Sequence, residues 1–218
     1  MRYALGQVRL GLCSDTFGNL AALERALDVF ARAEADRVYF LGGRLADLEK
    51  VLARRAGGSR DAPIPASDRE FLGAVESALS RQLSAAADPL ASKVVRIASK
   101  ACPEYRGGAT PKKQVDLVDG RVACLVHDKS ELTRDDIENA TLILHGNSAR
   151  AAIVAIGPRC FVTPGHLRHP APKDRPATFA LLEAGPRELR MTVFGEDAHE
   201  LRSETAVLGR TTTRLTVR

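Results

Sequence analysis

The segment "LGLCSDTFGNLAALERAL" (10–27) decides how the rest of the chain is read. With Val8 and Arg9 it completes "VRLGLC" (8–13), a short, mostly apolar run suited to a buried strand. Gly18 and Asn19 then signal a turn. Asn19 is placed to cap a helix whose Leu20, Leu23, Leu27 and Phe30 share one face. Between strand and helix stands Asp15, a carboxylate where the apolar run ends, with Phe17 two residues behind it.

Working outward, the unit repeats. "RVYFLGG" (37–43) reads as a second strand ending in a glycine turn, and "LADLEKVLARRA" (45–56) as a second helix stopped by Gly57 and Gly58. Strand, helix, strand, helix in that order predicts parallel strands. "GGSRDAPIPAS" (57–67) is a connector, and Ser67 with Glu70 forms a capping box that opens a helix over 68–86. Phe71, Leu72, Val75, Leu79 and Leu83 lie on one stripe of it, facing either the core or a partner. "ADPLASKVVRIASKAC" (87–102) fits a helical stripe better than a strand, although "KVVRIA" alone suits either. "RGGATPKK" (106–113) is a basic loop without the residue order of a phosphate-binding Walker loop.

The second half turns to strands. "QVDLVDGRVACLVHD" (114–128) is a hairpin closed by Asp119-Gly120, and a short helix (133–139) precedes "TLILHG" (141–146). "AIVAIG", "CFVTPG", "ATFALLE", "LRMTVFG" and the terminal "TRLTVR" complete the set. The expectation is a two-sheet α/β sandwich, parallel early and antiparallel late.

Composition sets bounds on function. Hydrophobic residues make 44% and charged residues 27% of the 218, the balance of an ordinary globular protein. No apolar run approaches the roughly 20 residues of a membrane span. "MRYALGQVRLGL" carries no signal-peptide core, so a cytoplasmic location is expected. Cys13, Cys102, Cys124 and Cys160 are too scattered for a zinc site and read as reduced core thiols. The net charge of +5 raises the question of a nucleic-acid partner. The basic residues are interleaved with Glu and Asp, which favours a mixed-charge surface over a nucleic-acid face.

Polar groups cluster at the predicted strand ends, where open α/β sheets bind ligands. "SDTFGNLAALERAL", "VYFLGG", "VACLVHD", "LILHGNS" and "FVTPGHLRHP" fall in the order of the motif blocks of calcineurin-like metallophosphoesterases. The chain resembles that family, above all its small bacterial phosphodiesterase branch and the phosphoesterase-like subunit of retromer. The resemblance covers 8–56 and 115–183. It implies a four-layer α/β/β/α sandwich with a mixed sheet pair, a single domain over 1–218, and a helical insertion at 57–112.

The family's chemistry uses two divalent ions, commonly manganese, iron or zinc, that clamp a bridging hydroxide between carboxylate, imidazole and amide ligands. Carried over residue by residue, the ligand set is mostly missing. Asp15 matches the Asp of the D-x-H block, but its His falls on Phe17. The bridging Asp of the G-D block falls on Gly43. The third block is unrecognisable, with Ser99 the nearest candidate. His127 matches the next ligand, followed by Asp128 instead of Gly. The G-H-x-H block falls on Gly146, Asn147, Ser148 and Ala149, leaving Asn147 as a weak neutral ligand.

The resemblance therefore implies a catalytically degenerate protein without a cofactor. Asp15 and His127 are its vestigial ligands, and the expected role is a scaffold that binds another protein or a second copy of itself. Phe17 either fills the vacated cavity or stands as an exposed anchor, and Asp15 has the alternative of accepting backbone N–H bonds in its turn. The enzyme alternative is a phosphoesterase with one manganese or zinc ion in a remodelled site of Asp15, His127, His145 and His166, with His169 nearby.

Overall fold

The computed structural model describes residues 7–57, 88–171 and 173–208. Two mixed sheets are stacked face to face. The first has six strands: β1 (Val8–Cys13), β2 (Arg37–Phe40), β3 (Val94–Arg96), β9 (Thr178–Ala184), β10 (Glu188–Gly195) and β11 (Glu200–Val207). Their spatial order is β11-β10-β9-β1-β2-β3. The second has five: β4 (Lys113–Val118), β5 (Arg121–Val126), β6 (Leu142–His145), β7 (Ala151–Ile156) and β8 (Arg159–Pro164), in the order β4-β5-β6-β8-β7.

Between the sheets, inward side chains such as Leu10, Leu12, Tyr39, Leu125, Leu144, Val162, Leu182 and Met191 form one core. A second core lies between the first sheet and helices α1 (Leu20–Arg32) and α2 (Leu45–Ala56). α1 begins where expected, with the Asn19 side chain accepting a hydrogen bond from the Ala22 N–H at 3.2 Å. It approaches β1 closely because Gly11 has no side chain: a Cβ there would stand 2.5 Å from the Phe30 ring. Phe30 meets Phe179 edge to face at 5.6 Å, and Phe179 stacks on Phe194 at 5.3 Å. On the far side of the second sheet, among the described residues, the short helix α4 (Arg134–Asn139) gives partial cover through Ile137 and the adjoining Ala140. The four layers are those expected, and no helix among the described residues is long and apolar enough to cross a membrane.

Both sheets are mixed, as expected: in the second, β5, β6 and β8 run parallel while β4 and β7 pair antiparallel at its edges. Two readings need correction. The stretch 89–101 is not a helix. It forms a 3-10 turn at Ala91–Lys93 and then β3, which pairs parallel with β2, because Val94 gains more from the core beside β2 than from a helical stripe. β11 has no counterpart in the sequence reading: most of its side chains are exposed on both faces, so it lacks the alternation that marks a half-buried strand. Of the stretch 57–112 expected as a helical insertion, 58–87 lies outside the described residues. Its described part holds β3 and the single-turn helix α3 (Glu104–Gly107). The helix expected at 68–86 and the strand at 213–218 also lie outside.

All four cysteines are buried thiols, none of them in a disulfide. Replacing Phe30 by Ala removes the ring that joins α1 to β1 and β9. It is expected to lower the unfolding free energy by about 3–5 kcal/mol in urea denaturation.

Candidate functional site

Parallel strands in each sheet bring their carboxyl ends to one edge of the sandwich. The loops after β1, β2, β5, β6 and β8 meet there. Leu41 N–H bonds to Cys13 C=O at 2.9 Å and Asp15 N–H to Gly42 C=O at 2.8 Å, so the β1–β2 ladder continues past both strands. Leu167 N–H reaches Ser14 C=O at 3.0 Å and ties the loop after β8 to the loop after β1.

Asp15 lies at the centre and is fully buried. One oxygen, Oδ2, accepts from the Ser14 hydroxyl at 2.7 Å and from the Asn147 backbone N–H at 2.9 Å. The other, Oδ1, faces His127 Nε2 at 3.1 Å and accepts from Arg168 Nη2 at 3.2 Å. An ionised carboxylate only accepts, so His127 carries its hydrogen on Nε2. Its Nδ1 is buried without a hydrogen-bond partner among the described residues. Burial alone would raise the Asp15 pKa. The hydrogen bond and charge of His127, the Ser14 hydroxyl and the charge of Arg168 outweigh it and hold the carboxyl at about 2.

The loop that presents Asp15 is strained and held from behind. Asp15 and Phe17 have φ of 55° and 41°, a region that costs side-chain-bearing residues on the order of 1–3 kcal/mol. Asp47, in the first turn of α2, accepts from the Thr16 hydroxyl at 2.8 Å and the Gly18 N–H at 2.7 Å and so fixes the turn. Phe17 is half-buried, and the Arg168 guanidinium lies 4.4 Å over its ring. It is therefore neither a plug nor a bare anchor, but the platform that orients the arginine beside Asp15.

The position equated with the bridging carboxylate, Gly43, has φ of 112°, and a Cβ there would lie 3.0 Å from the Asp15 Cα and N. At Gly42 a Cβ would meet the His127 ring at 2.2 Å. The glycine turn thus lets the Asp15 loop and His127 close on one another.

Asn147 serves Asp15 through its backbone, while its side-chain amide donates to Asp128 at 2.7 Å. His145 is buried with Nδ1 against its neighbour's carbonyl, Gly146 C=O, at 2.9 Å. Burial, chiefly, pushes its pKa down. His166 and Ala149 line a cavity of about 350 Å³ with Asp15, Arg168 and Arg175. His169 lies away from the carboxylate, 3.6 Å from Glu196. Ser99 caps its own turn, receiving Ala101 N–H at 3.3 Å. Arg168, Ser14 and Asp47 escape the sequence reading. Ser14 and Arg168 do lie inside the quoted blocks "SDTFGNLAALERAL" and "FVTPGHLRHP", but no residue pattern there marks them as partners of Asp15.

These residues do not fit a divalent ion. Both Asp15 oxygens are engaged by protein donors, Arg168 stands as its cation, and position 43 is a glycine at φ 112° where a side chain would crowd the Asp15 backbone. Among the described residues no three His, Cys, Asp or Glu side chains gather as a metal-holding group.

The Asp15 carboxyl, lowered from the ordinary value near 4, makes stability pH-dependent in one direction. Its contribution, on the order of 2 kcal/mol, is present above about pH 4 and lost as pH falls toward 2. Unfolding free energies measured across that window are expected to fall less steeply in Asp15→Asn than in the parent.

No family model and no curated protein matches this chain. Solved structures do. A conserved uncharacterized protein of Streptococcus pneumoniae, described as a predicted phosphoesterase, is 15% identical with a TM-score of 0.59, covering 94% of this chain and 99% of that one. YfcE, a phosphoesterase from E. coli, is 16% identical with a TM-score of 0.55, over 93% and 100%. Chaetomium thermophilum Vps29 complexed with a cyclic peptide is 12% identical with a TM-score of 0.52, over 94% and 99%. Across nearly its whole length, this chain has the fold shared by these phosphoesterases and Vps29.

Proposed function

We propose that the chain is a non-hydrolytic module of this fold whose role is to bind another protein. One observation carries the reading: the Asp15 carboxylate is saturated by Ser14, Asn147, His127 and Arg168. Metal-assisted hydrolysis needs an ion with open positions for a hydroxide and for the phosphoryl oxygens. Here Asp15 and His127 are remnants of a ligand set turned into a structural pair. The chain is read as a single domain over 1–218, with an insertion at 57–112.

The outer face of the second sheet supports the binding role. Strand register places Val115, Cys124, Ile143, Phe161 and Val154 in one row across all five strands. Among the described residues α4 covers the middle of the face, and Val115, Leu117, Val154 and Ile156 are each 47–63% exposed. Exposed apolar side chains on the two edge strands of this face, β4 and β7, favour an interaction surface there. The cyclic peptide bound to Vps29 shows that this fold accepts peptide ligands. Nucleic acid fits less well, because arginines such as Arg54, Arg55 and Arg96 spend their charge on Glu24, Asp28, Asp88 and Glu49.

Two measurements test the proposal. Chromogenic phosphomonoesters and phosphodiesters, offered with manganese or zinc, are expected to turn over no faster than in an Asp15→Ala control. Metal-dependent turnover abolished in that variant contradicts the reading. Leu117→Asp and Ile156→Asp are expected to release a co-purifying partner while changing stability by no more than about 0.5 kcal/mol. Retention of the partner by both variants removes this face from the account.

A further inference from the structure

We propose that β7 pairs, edge to edge and antiparallel, with the β7 of a second copy of this chain, so that two five-stranded sheets become one continuous sheet. An edge strand offers a row of backbone N–H and C=O groups, and proteins guard such edges with charge, proline or shortness. Among the described residues, three of the four edge strands are guarded. β3 has three residues and ends in Arg96. β4 carries Lys113 and Asp116, paired with Asp136 and Arg37. β11 sets Glu200, Arg202 and Glu204 at alternate positions.

β7 has none of these protections. It reads AAIVAI, six residues without a charge or a proline, and its strand pairing is with β8 alone. At its start, Arg202 of β11 donates to the Ala151 carbonyl at 2.6 Å. Farther along the strand Val154, Ala155 and Ile156 are all exposed, Val154 by 47% and Ile156 by 59%.

The order of residues along the strand selects a second copy as the occupant. A two-fold axis normal to the sheet sets β7 against itself and keeps outer side chains beside outer ones. With the axis at Val154, that residue meets its own copy. On the outer face Ala152 then lies opposite the partner's Ile156, and on the inner face Ile153 lies opposite the partner's Ala155. Large side chains thus meet small ones on both faces, the alternation that lets facing positions interdigitate. Past the strand ends Arg150 falls opposite the partner's Pro158, so no like charges stand directly across from one another. Val154 also ends the apolar row that begins at Val115, and the pairing extends that row into the second copy.

This inference rests on the reading of the second sheet as a binding surface and names the partner for one edge of it. Its test is the sedimentation of the full chain in EDTA across the micromolar range, where a dimer is expected. Val154→Lys and Val154→Asp each set like charges face to face across the axis. Both are expected to sediment as monomers with the parent's circular dichroism, and an equal mixture of the two is expected to recover the dimer. Leu117→Asp lies on β4, at the opposite edge of the sheet, and is expected to stay dimeric even where it releases another partner. Failure of the edge pairing and failure of the face's binding role are therefore told apart. A monomeric parent, dimers of Val154→Lys alone, or a mixture that stays monomeric overturns the proposal.

Discussion

A carboxylate buried at the meeting point of two sheets must be answered by something, because desolvating an unpaired charge costs several kcal/mol. In this protein the answer comes from the chain itself. Asp15 receives a hydroxyl, a backbone amide, an imidazole and a guanidinium, each from a different part of the site: its own loop, the loop after β6, the end of β5 and the loop after β8. The carboxylate therefore works as a clasp. It joins the carboxyl ends of strands from two sheets that no strand pairing among the described residues connects.

The neighbouring features follow from that clasp. Gly42 and Gly43 are needed because side chains there would strike His127 and the Asp15 backbone. Asp47 is needed because the Asp15–Phe17 turn holds two side-chain-bearing residues at positive φ. Phe17 is needed because a guanidinium at a half-open edge is otherwise free to swing into water. A site tuned for two ions would keep its carboxylate oxygens available, and this one commits them.

Much of this was legible in the sequence, for identifiable reasons. β1, α1, β2 and α2 carry strong periodicity, α1 has its Asn19 cap, and Asp119-Gly120 closes its hairpin with both residues at positive φ as a two-residue turn demands. The convergence of Asp15, His127 and Asn147 followed from their places at strand ends. β3 was misread because three residues give too short a period to separate from a helix. β11 was missed because exposure on both faces erases alternation. Arg168 was missed because an arginine in a loop has no local pattern: only the folded loop brings it over Phe17. The role of Asn147 was misassigned, since sequence names a side chain and cannot reveal that the backbone N–H does the work.

The central claim is that Asp15 is bound by the protein and not held in reserve for a metal. A double-mutant cycle between Asp15→Asn and His127→Gln, read as unfolding free energy in EDTA, tests it directly. Residues in one buried network couple by about 0.5–3 kcal/mol. The account predicts coupling in that range, unaltered when manganese or zinc replaces the chelator. Additive effects in EDTA, or a coupling that appears only with the metal, would contradict it.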